Sequence, residues 1–163
     1  MERTKNKKKI QSPQARKPEK KAPTAAKPQV QLSDFLGQFV VLYFYPKDMT
    51  PGCTKESCDF AESYVAFKKL GAVVLGVSRD SIASHEKFRE KYKLPFELIS
   101  DEDGKLCQKF GVWKQKSLYG RKYMGIERST FIIGPDGKIL KTYQPVKVTG
   151  HVSQVLADLK SLS

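Results

Sequence analysis

Long apolar runs are missing from this sequence. The longest, residues 39–45, has seven residues, against the roughly 20 a helix needs to cross a bilayer, so no membrane association and a soluble protein are expected. Histidine is scarce: His85 and His151 are the only two, and both stand far from the cysteines in sequence. A zinc site wants four clustered ligands, so no metal is expected. Cysteine is limited to Cys53, Cys58 and Cys107. An odd count without an apolar leader argues against a secreted disulfide scaffold and for a reducing compartment, where paired cysteines are more often redox-active or metal-binding than structural. The expected location is cytoplasmic. Residues 1–28 lack aromatic side chains altogether and lack negative charge apart from Glu2 and Glu19, yet hold ten Lys or Arg and four of the nine prolines. Such a segment cannot bury enough apolar surface to order itself, so 1–28 reads as a disordered basic tail and 29–163 as one folded domain.

Most of the net charge of +13 belongs to that tail. Its blocks Lys7-Lys8-Lys9 and Lys20-Lys21 suit attraction to nucleic acid, ribosomes or anionic surfaces, or a nuclear-localisation signal, which makes nuclear location the alternative. A solvated extension without a defined partner is the plainer reading.

Beyond the tail, residues 32–37 read as a short helical turn ending at Gly37. Residues 39–45 are β-branched and aromatic without polar alternation, as in a strand covered on both faces, and Pro46 ends it. After Cys53, the positions Phe60, Tyr64 and Phe67 recur at i, i+4 and i+7, which predicts an amphipathic helix reaching about Leu70 with Gly71 as its stop. Residues 72–78 form a second buried strand, 81–92 a helix capped by Ser81 or Asp80 with Phe88 inward, and 96–100 a short strand. Residues 101–111 read as a helical turn carrying Leu106, Cys107 and Phe110. Two strand-like runs, 129–133 and 138–143, flank Gly134-Pro135-Asp136-Gly137, a hairpin signal. Val152, Val155, Leu156, Leu159 and Leu162 supply the apolar face of a closing helix. This order predicts an α/β domain with a central mixed sheet flanked by helices, in the thioredoxin-like arrangement.

The chemistry concentrates where the first strand gives way to the first helix. Backbone N–H groups at a helix start have no intrahelical partner and carry the positive end of the helix dipole, so they favour a thiolate at Cys53. Thr50, three residues earlier, can offer a hydroxyl to a peroxide; Gly52 lets the backbone approach closely; Pro46 and Pro51 stiffen the loop. The missing cation is best supplied by Arg128, just ahead of the strand 129–133, whose guanidinium can bond both a thiolate and a peroxide oxygen. Cys58 follows Cys53 by five residues on the same helix, which puts the two Cα atoms roughly 8.7 Å apart, beyond the ~7 Å limit for a disulfide. Pairing of the two requires the helix to unwind.

The pattern Pro46-x-x-x-Thr50-x-x-Cys53 with Arg128 at the start of a late strand resembles the active-site signature of the peroxiredoxins. The fuller string Phe44-Tyr45-Pro46-Lys47-Asp48-Met49-Thr50-Pro51-Gly52-Cys53-Thr54-Lys55-Glu56-Ser57-Cys58 is similar to the peroxiredoxin Q subfamily, also called bacterioferritin comigratory proteins. Similarity continues through Val77-Ser78-Arg79-Asp80-Ser81, Arg128-Ser129-Thr130-Phe131-Ile132-Ile133 and Val146-Lys147-Val148-x-Gly150-His151, and covers about residues 32–163. The resemblance implies a thiol peroxidase in which Cys53 attacks hydrogen peroxide or an organic hydroperoxide and Cys58 resolves the sulfenic acid as an intramolecular disulfide. It also implies recycling by thioredoxin or a similar dithiol, a monomer, and no bound cofactor. Family members usually carry a further pair of strands with an Ala-Pro-Asp-Phe-like motif ahead of Leu32. Here Ala22-Pro23-Thr24-Ala25 and a polar stretch stand in that place.

The remaining candidates read plainly. Cys107 is a small buried apolar residue beside Leu106 and Phe110. His85 and His151 are structural or surface residues. Trp113, Tyr119 and Tyr123 interleave with Lys114, Lys116, Arg121 and Lys122, a pattern that can stack nucleic-acid bases, but a mobile loop beside the active site is the preferred reading. A nucleic-acid- or ribosome-associated protein recruited by the basic tail is the competing function.

Overall fold

The computed structural model describes residues 31–163. The basic tail, its partners and the Ala22–Ala25 departure therefore lie outside the described residues. In chain order the elements are a 3-10 turn Leu32–Phe35, β1 Phe39–Phe44, α1 Pro51–Glu62, α2 Tyr64–Lys69, β2 Ala72–Ser78, α3 Ile82–Tyr92, β3 Glu97–Ser100, α4 Lys105–Lys109, β4 Trp113–Leu118, β5 Arg121–Ile126, β6 Ser129–Ile133, β7 Ile139–Tyr143 and α5 His151–Leu162.

The apolar run predicted to be covered on both faces is the middle of a five-stranded sheet ordered β3-β2-β1-β6-β7. β1 pairs in parallel with β2 and antiparallel with β6. Side chains alternate across a strand, so Val41 and Tyr43 go to one face and Val40, Leu42 and Phe44 to the other. The first face is covered by α1, α2, α3 and α5 through Phe60, Phe67, Phe88, Val155 and Leu159. The second is covered by the 3-10 turn, by α4 with Cys107 and Phe110, and by Trp113 and Ile126. Helices thus lie on both sides of a mixed sheet, unequally shared. Among the described residues no helix is long and apolar enough to cross a membrane.

Two local expectations are corrected. The single helix foreseen up to Leu70 is two, because Ser63 leaves helical geometry at φ −96°, ψ 4° before α2 begins. The segment foreseen as a mobile basic loop is an antiparallel hairpin, β4 with β5, running in register from Trp113 opposite Ile126 to Leu118 opposite Arg121. Most of its side chains are exposed on both faces, so it lacks the apolar alternation that marks a strand in sequence. Of the two readings given to His85 and His151, structural or surface, burial favours the structural one for both.

One glycine in β2 shapes the packing above it. Gly76 is the register partner of Tyr43, and a Cβ there would stand 2.9 Å from the tyrosine hydroxyl oxygen and 2.7 Å from Leu98 Cδ2. Only glycine leaves room for the Tyr43 ring, which stacks on Phe60 of α1 at 4.6 Å. Its hydroxyl lies 2.7 Å from Ser57 Oγ, a second tie to the same helix.

Candidate active site

The loop leaving β1 delivers the chain to α1 under several constraints. Pro46 stands exposed at its start. Thr50 is the N-cap of α1 in extended conformation and Pro51 the first helical residue, a position where the missing proline N–H costs nothing. The Thr50 carbonyl accepts from Thr54 N–H at 2.8 Å. Its hydroxyl donates to the Lys47 carbonyl at 2.8 Å, so what Thr50 can present to a ligand is an acceptor lone pair. Cys53 then falls in the first turn of α1, fully buried, where helical N–H groups lack intrahelical acceptors.

Arg128, 75 residues further on, completes this turn. Its Nη2 donates to Cys53 Sγ at 3.4 Å and its Nη1 to Glu56 Oε1 at 2.7 Å. Gly52 allows the approach: a Cβ there would stand 3.1 Å from Nη2. Burial opposes the Arg128 charge, but the Glu56 carboxylate and the Cys53 sulfur outweigh it and hold the guanidinium firmly protonated. Glu56 is wholly buried and its Oε2 has no partner. Burial pushes its carboxyl up to about 7, against the pull of Arg128. The arrangement can hold negative charge on sulfur and on a nearby oxygen. Glu56 was not singled out in the sequence, where a glutamate in a mid-helix run of Thr, Lys and Ser reads as a solvent-facing position.

Cys58 lies further along the same unbroken helix and is partly exposed, and all three cysteines are free thiols. Burial, aided by Asp59 and Glu62, pushes the Cys58 thiol up, which keeps it protonated while α1 is intact. Between the two cysteines Glu56 is tied to Arg128 and Ser57 to Tyr43. Cys107 is buried on the opposite face of the sheet, as expected, and burial with Asp101 pushes its thiol far up.

The loop is anchored from behind. Asp48 accepts from Tyr45 Oη at 2.7 Å and Ser84 Oγ at 2.8 Å, and faces His85 Nδ1 at 2.8 Å. The Asp48 N–H donates to Asp80 Oδ2 at 2.8 Å, and His85 Nε2 faces the Ile99 carbonyl at 3.1 Å. The loop is thereby fastened to α3, to the segment after β2, and to β3.

Comparison with known proteins gives this geometry its context. The AhpC/TSA family profile matches residues 13–142. The chain belongs to the AhpC/TSA family. It is 54% identical over 134 residues to peroxiredoxin Bcp of Bacillus subtilis (strain 168), covering 82% of this chain and 85% of that protein. Against peroxiredoxin Bcp of Escherichia coli (strain K12) identity is 47% over 132 residues, covering 81% and 85%. A Cys-to-Ser mutant of Xanthomonas campestris peroxiredoxin Q superposes with a TM-score of 0.79 at 48% identity, over 82% of this chain and 85% of that one. A second Xanthomonas campestris structure, a bacterioferritin comigratory protein studied for alkyl peroxide reduction through a trapped intermediate/ligand complex, gives 0.78 at 48% identity, over 81% and 84%.

As a peroxiredoxin of the Bcp/Q group, the chain has a thioredoxin-like fold and is a thiol peroxidase. Of the five residues singled out beforehand, the structure brings Cys53 and Arg128 into contact, sets Thr50 and Pro46 on the loop that precedes them, and leaves Cys58 along α1, apart from that contact.

Proposed function

We propose that Cys53 is the peroxidatic and Cys58 the resolving cysteine of a two-cysteine peroxidase for hydrogen peroxide and organic hydroperoxides. The 3.4 Å contact from Arg128 to Cys53 Sγ at a helix start carries this reading. The Cys53 thiolate attacks the terminal oxygen of the hydroperoxide, the O–O bond breaks, and the sulfur leaves as a sulfenic acid. The alkoxide or hydroxide released takes a proton to become alcohol or water. Arg128 stabilises the charge on sulfur before attack and on the departing oxygen during it. Thr50 accepts a hydrogen bond from the peroxide O–H, and Pro46 and Pro51 limit the freedom of the loop. The activity named for the Xanthomonas relative supports the organic half of the substrate range.

In the second step the Cys58 thiol attacks the sulfenic sulfur, forming a disulfide and releasing water. Five helical residues separate Cα atoms by roughly 8.7 Å, beyond disulfide reach, so α1 opens first. Opening breaks the Glu56–Arg128 pair and the Ser57–Tyr43 hydrogen bond. Thioredoxin or a similar dithiol then reduces the disulfide and is itself oxidised. Both cysteines lie on one helix, so a monomer is sufficient, and free thiols suit a reducing, cytoplasmic setting. Residues 29–163 are the catalytic domain and 1–28 a basic tail.

The test is mass spectrometry after one equivalent of peroxide. A mass lower by two hydrogens, a Cys53–Cys58 linked peptide, an unmodified Cys107, and faster amide exchange in residues 53–60 are expected. Full turnover by Cys53→Ser overturns the assignment, and a disulfide formed without loss of amide protection overturns the opening step.

A further inference from the structure

The hairpin β4–β5 forms a two-stranded sheet of its own, apart from the five-stranded one. Its base is rooted in the core through Val112, Ile126 and Trp113, with the Arg79 guanidinium 4.7 Å from the centre of the Trp113 ring. From there the strands run out by roughly 17 Å to a turn at Tyr119 and Gly120. Around that outer end Leu118, Tyr119, Tyr123 and Met124 are exposed by 56, 98, 46 and 49%. Leu118, Tyr119, Arg121 and Tyr123 line an open pocket of about 530 Å³. An apolar cluster so placed takes no part in packing the fold.

The turn itself is unusual for its residue. Tyr119 and Gly120 both have positive φ, 53° and 76°, as a two-residue hairpin turn of this twist requires. Glycine takes that conformation freely and asparagine or aspartate is its usual companion, whereas tyrosine enters it at a cost. Among the described residues no ring contact, hydrogen bond or ion pair engages the Tyr119 side chain. Neither backbone nor packing therefore accounts for a tyrosine at the tip. Charge marks the same element: Lys114, Lys116, Arg121 and Lys122 lie on the hairpin, and no acidic residue occurs between Asp103 and Glu127.

We infer that the end of the hairpin is a docking surface for an anionic phospholipid bilayer, with Leu118, Tyr119 and Tyr123 at the boundary of headgroups and acyl chains and Arg121 and Lys122 on the phosphates. The composition of the tip selects this occupant. A second copy of the hairpin would set four cations against four. A single-stranded nucleic acid stacks on planar rings, and Leu118 and Met124 offer none. An anionic bilayer takes all three kinds of side chain together: tyrosine prefers the interface, aliphatic groups enter it, and Lys or Arg meets the headgroups. The usual depth of such insertion, about 5–10 Å, is within the reach of the hairpin, so the main sheet stays in water. No described helix is long and apolar enough to cross a membrane, and docking of this kind needs none. The inference does not depend on the cysteine chemistry.

The experiment is flotation of the full chain with vesicles of phosphatidylcholine mixed with phosphatidylglycerol, and with vesicles of phosphatidylcholine alone. Residues 1–28 hold ten Lys or Arg and attract the mixed vesicles as well, so the share of the hairpin is read from tip substitutions. The double variant Arg121→Gln, Lys122→Gln is expected to weaken partitioning into mixed vesicles by roughly 25-fold, about fivefold per charge. Leu118→Ser with Tyr119→Ser is expected to weaken it by about tenfold, with the circular dichroism of the wild type. Partitioning left intact by the second pair assigns the binding to the tail and overturns the inference. So does a loss of affinity for a fluorescent single-stranded oligonucleotide in that pair at unchanged vesicle binding, which makes the tip a nucleic-acid surface. Tyr119→Trp locates the tip directly, since Trp113 is the sole native tryptophan. Its added emission is expected to shift to the blue on mixed vesicles and to be quenched by lipids brominated on their acyl chains. An added emission that stays that of a solvated indole overturns the inference.

Discussion

His85 Nδ1 stands 2.8 Å from Asp48 Oδ2, with both side chains almost wholly removed from solvent. The Ile99 carbonyl can only accept, so Nε2 carries a proton, while the other ring nitrogen faces a carboxylate. Burial opposes the charge of Asp48, but His85, Tyr45 and Ser84 outweigh it and hold its carboxyl below the usual range. The resulting stability is present above the unfolded Asp value of about 3.9 and is lost as pH falls through the lower folded value. Asp48→Ala leaves His85 buried without its partner and should cost roughly 3–5 kcal/mol in urea unfolding, the range for breaking a buried pair. A variant as stable as wild type would show that the loop before Cys53 does not depend on this contact.

Glu56 and His151 tilt the pH dependence of stability in opposite senses. Burial raises Glu56 from 4.5 to about 7. Between those values the folded protein holds a proton that the unfolded chain has released, so stability falls as pH rises. Burial, with Arg128 nearby, lowers His151 from 6.5 to about 4. Over that window the unfolded chain binds the extra proton, and stability climbs with pH. The two slopes offset each other across much of the acid range. Unfolding free energies measured from pH 4 to 8 should therefore rise more steeply in Glu56→Gln and fall more steeply in His151→Asn. An unchanged profile in Glu56→Gln removes that residue as the titrating group.

Gly52→Ala tests how tightly the guanidinium is seated. The added Cβ meets Arg128 Nη2 at 3.1 Å, and Arg128 cannot retreat without lengthening its 2.7 Å contact to Glu56. Displacing one preorganised donor should lower kcat/KM for peroxide by roughly 10–100-fold, with a thermal midpoint close to wild type because the helix start otherwise tolerates alanine. Equal loss of activity and stability would point instead to a general disturbance of α1.

Tyr43→Phe tests the tie on the second turn of α1. Losing the hydroxyl partner of Ser57 should weaken that turn by about 1 kcal/mol. If opening limits the resolving step, disulfide formation after a single peroxide pulse should accelerate by roughly fivefold, the factor that this energy represents. Rapid acid quench followed by thiol labelling measures it. A slower or unchanged rate places the limit elsewhere.

The sheet was legible because its central strand is apolar on both faces, and Cys53 because a strand, a proline-stiffened loop and a helix start coincide around it. Arg128 was reachable only as a cation ahead of a strand; its contact with residues 53 and 56 is made by pairing β6 with β1, which no local pattern encodes. Glu56 was missed for the same reason, since its partner lies 72 residues away. The hairpin 113–126 was misread because a strand pair with both faces largely solvated leaves no period of two in apolar residues. His85 was left as ordinary because the acid it faces belongs to the loop before α1, 37 residues earlier.

The room that Gly76 leaves in β2 reaches further than packing. The tyrosine hydroxyl that ties down the helix between its two cysteines occupies space a single methyl group would take. Under the two-cysteine scheme proposed above, with opening of α1 as the slow step, that strand sets how long an oxidised Cys53 waits for Cys58, and with it the interval during which a second peroxide can drive the sulfur to an irreversible acid. On that scheme tolerance of peroxide excess is tuned by the missing side chain at position 76, which no inspection of the thiols alone would reveal.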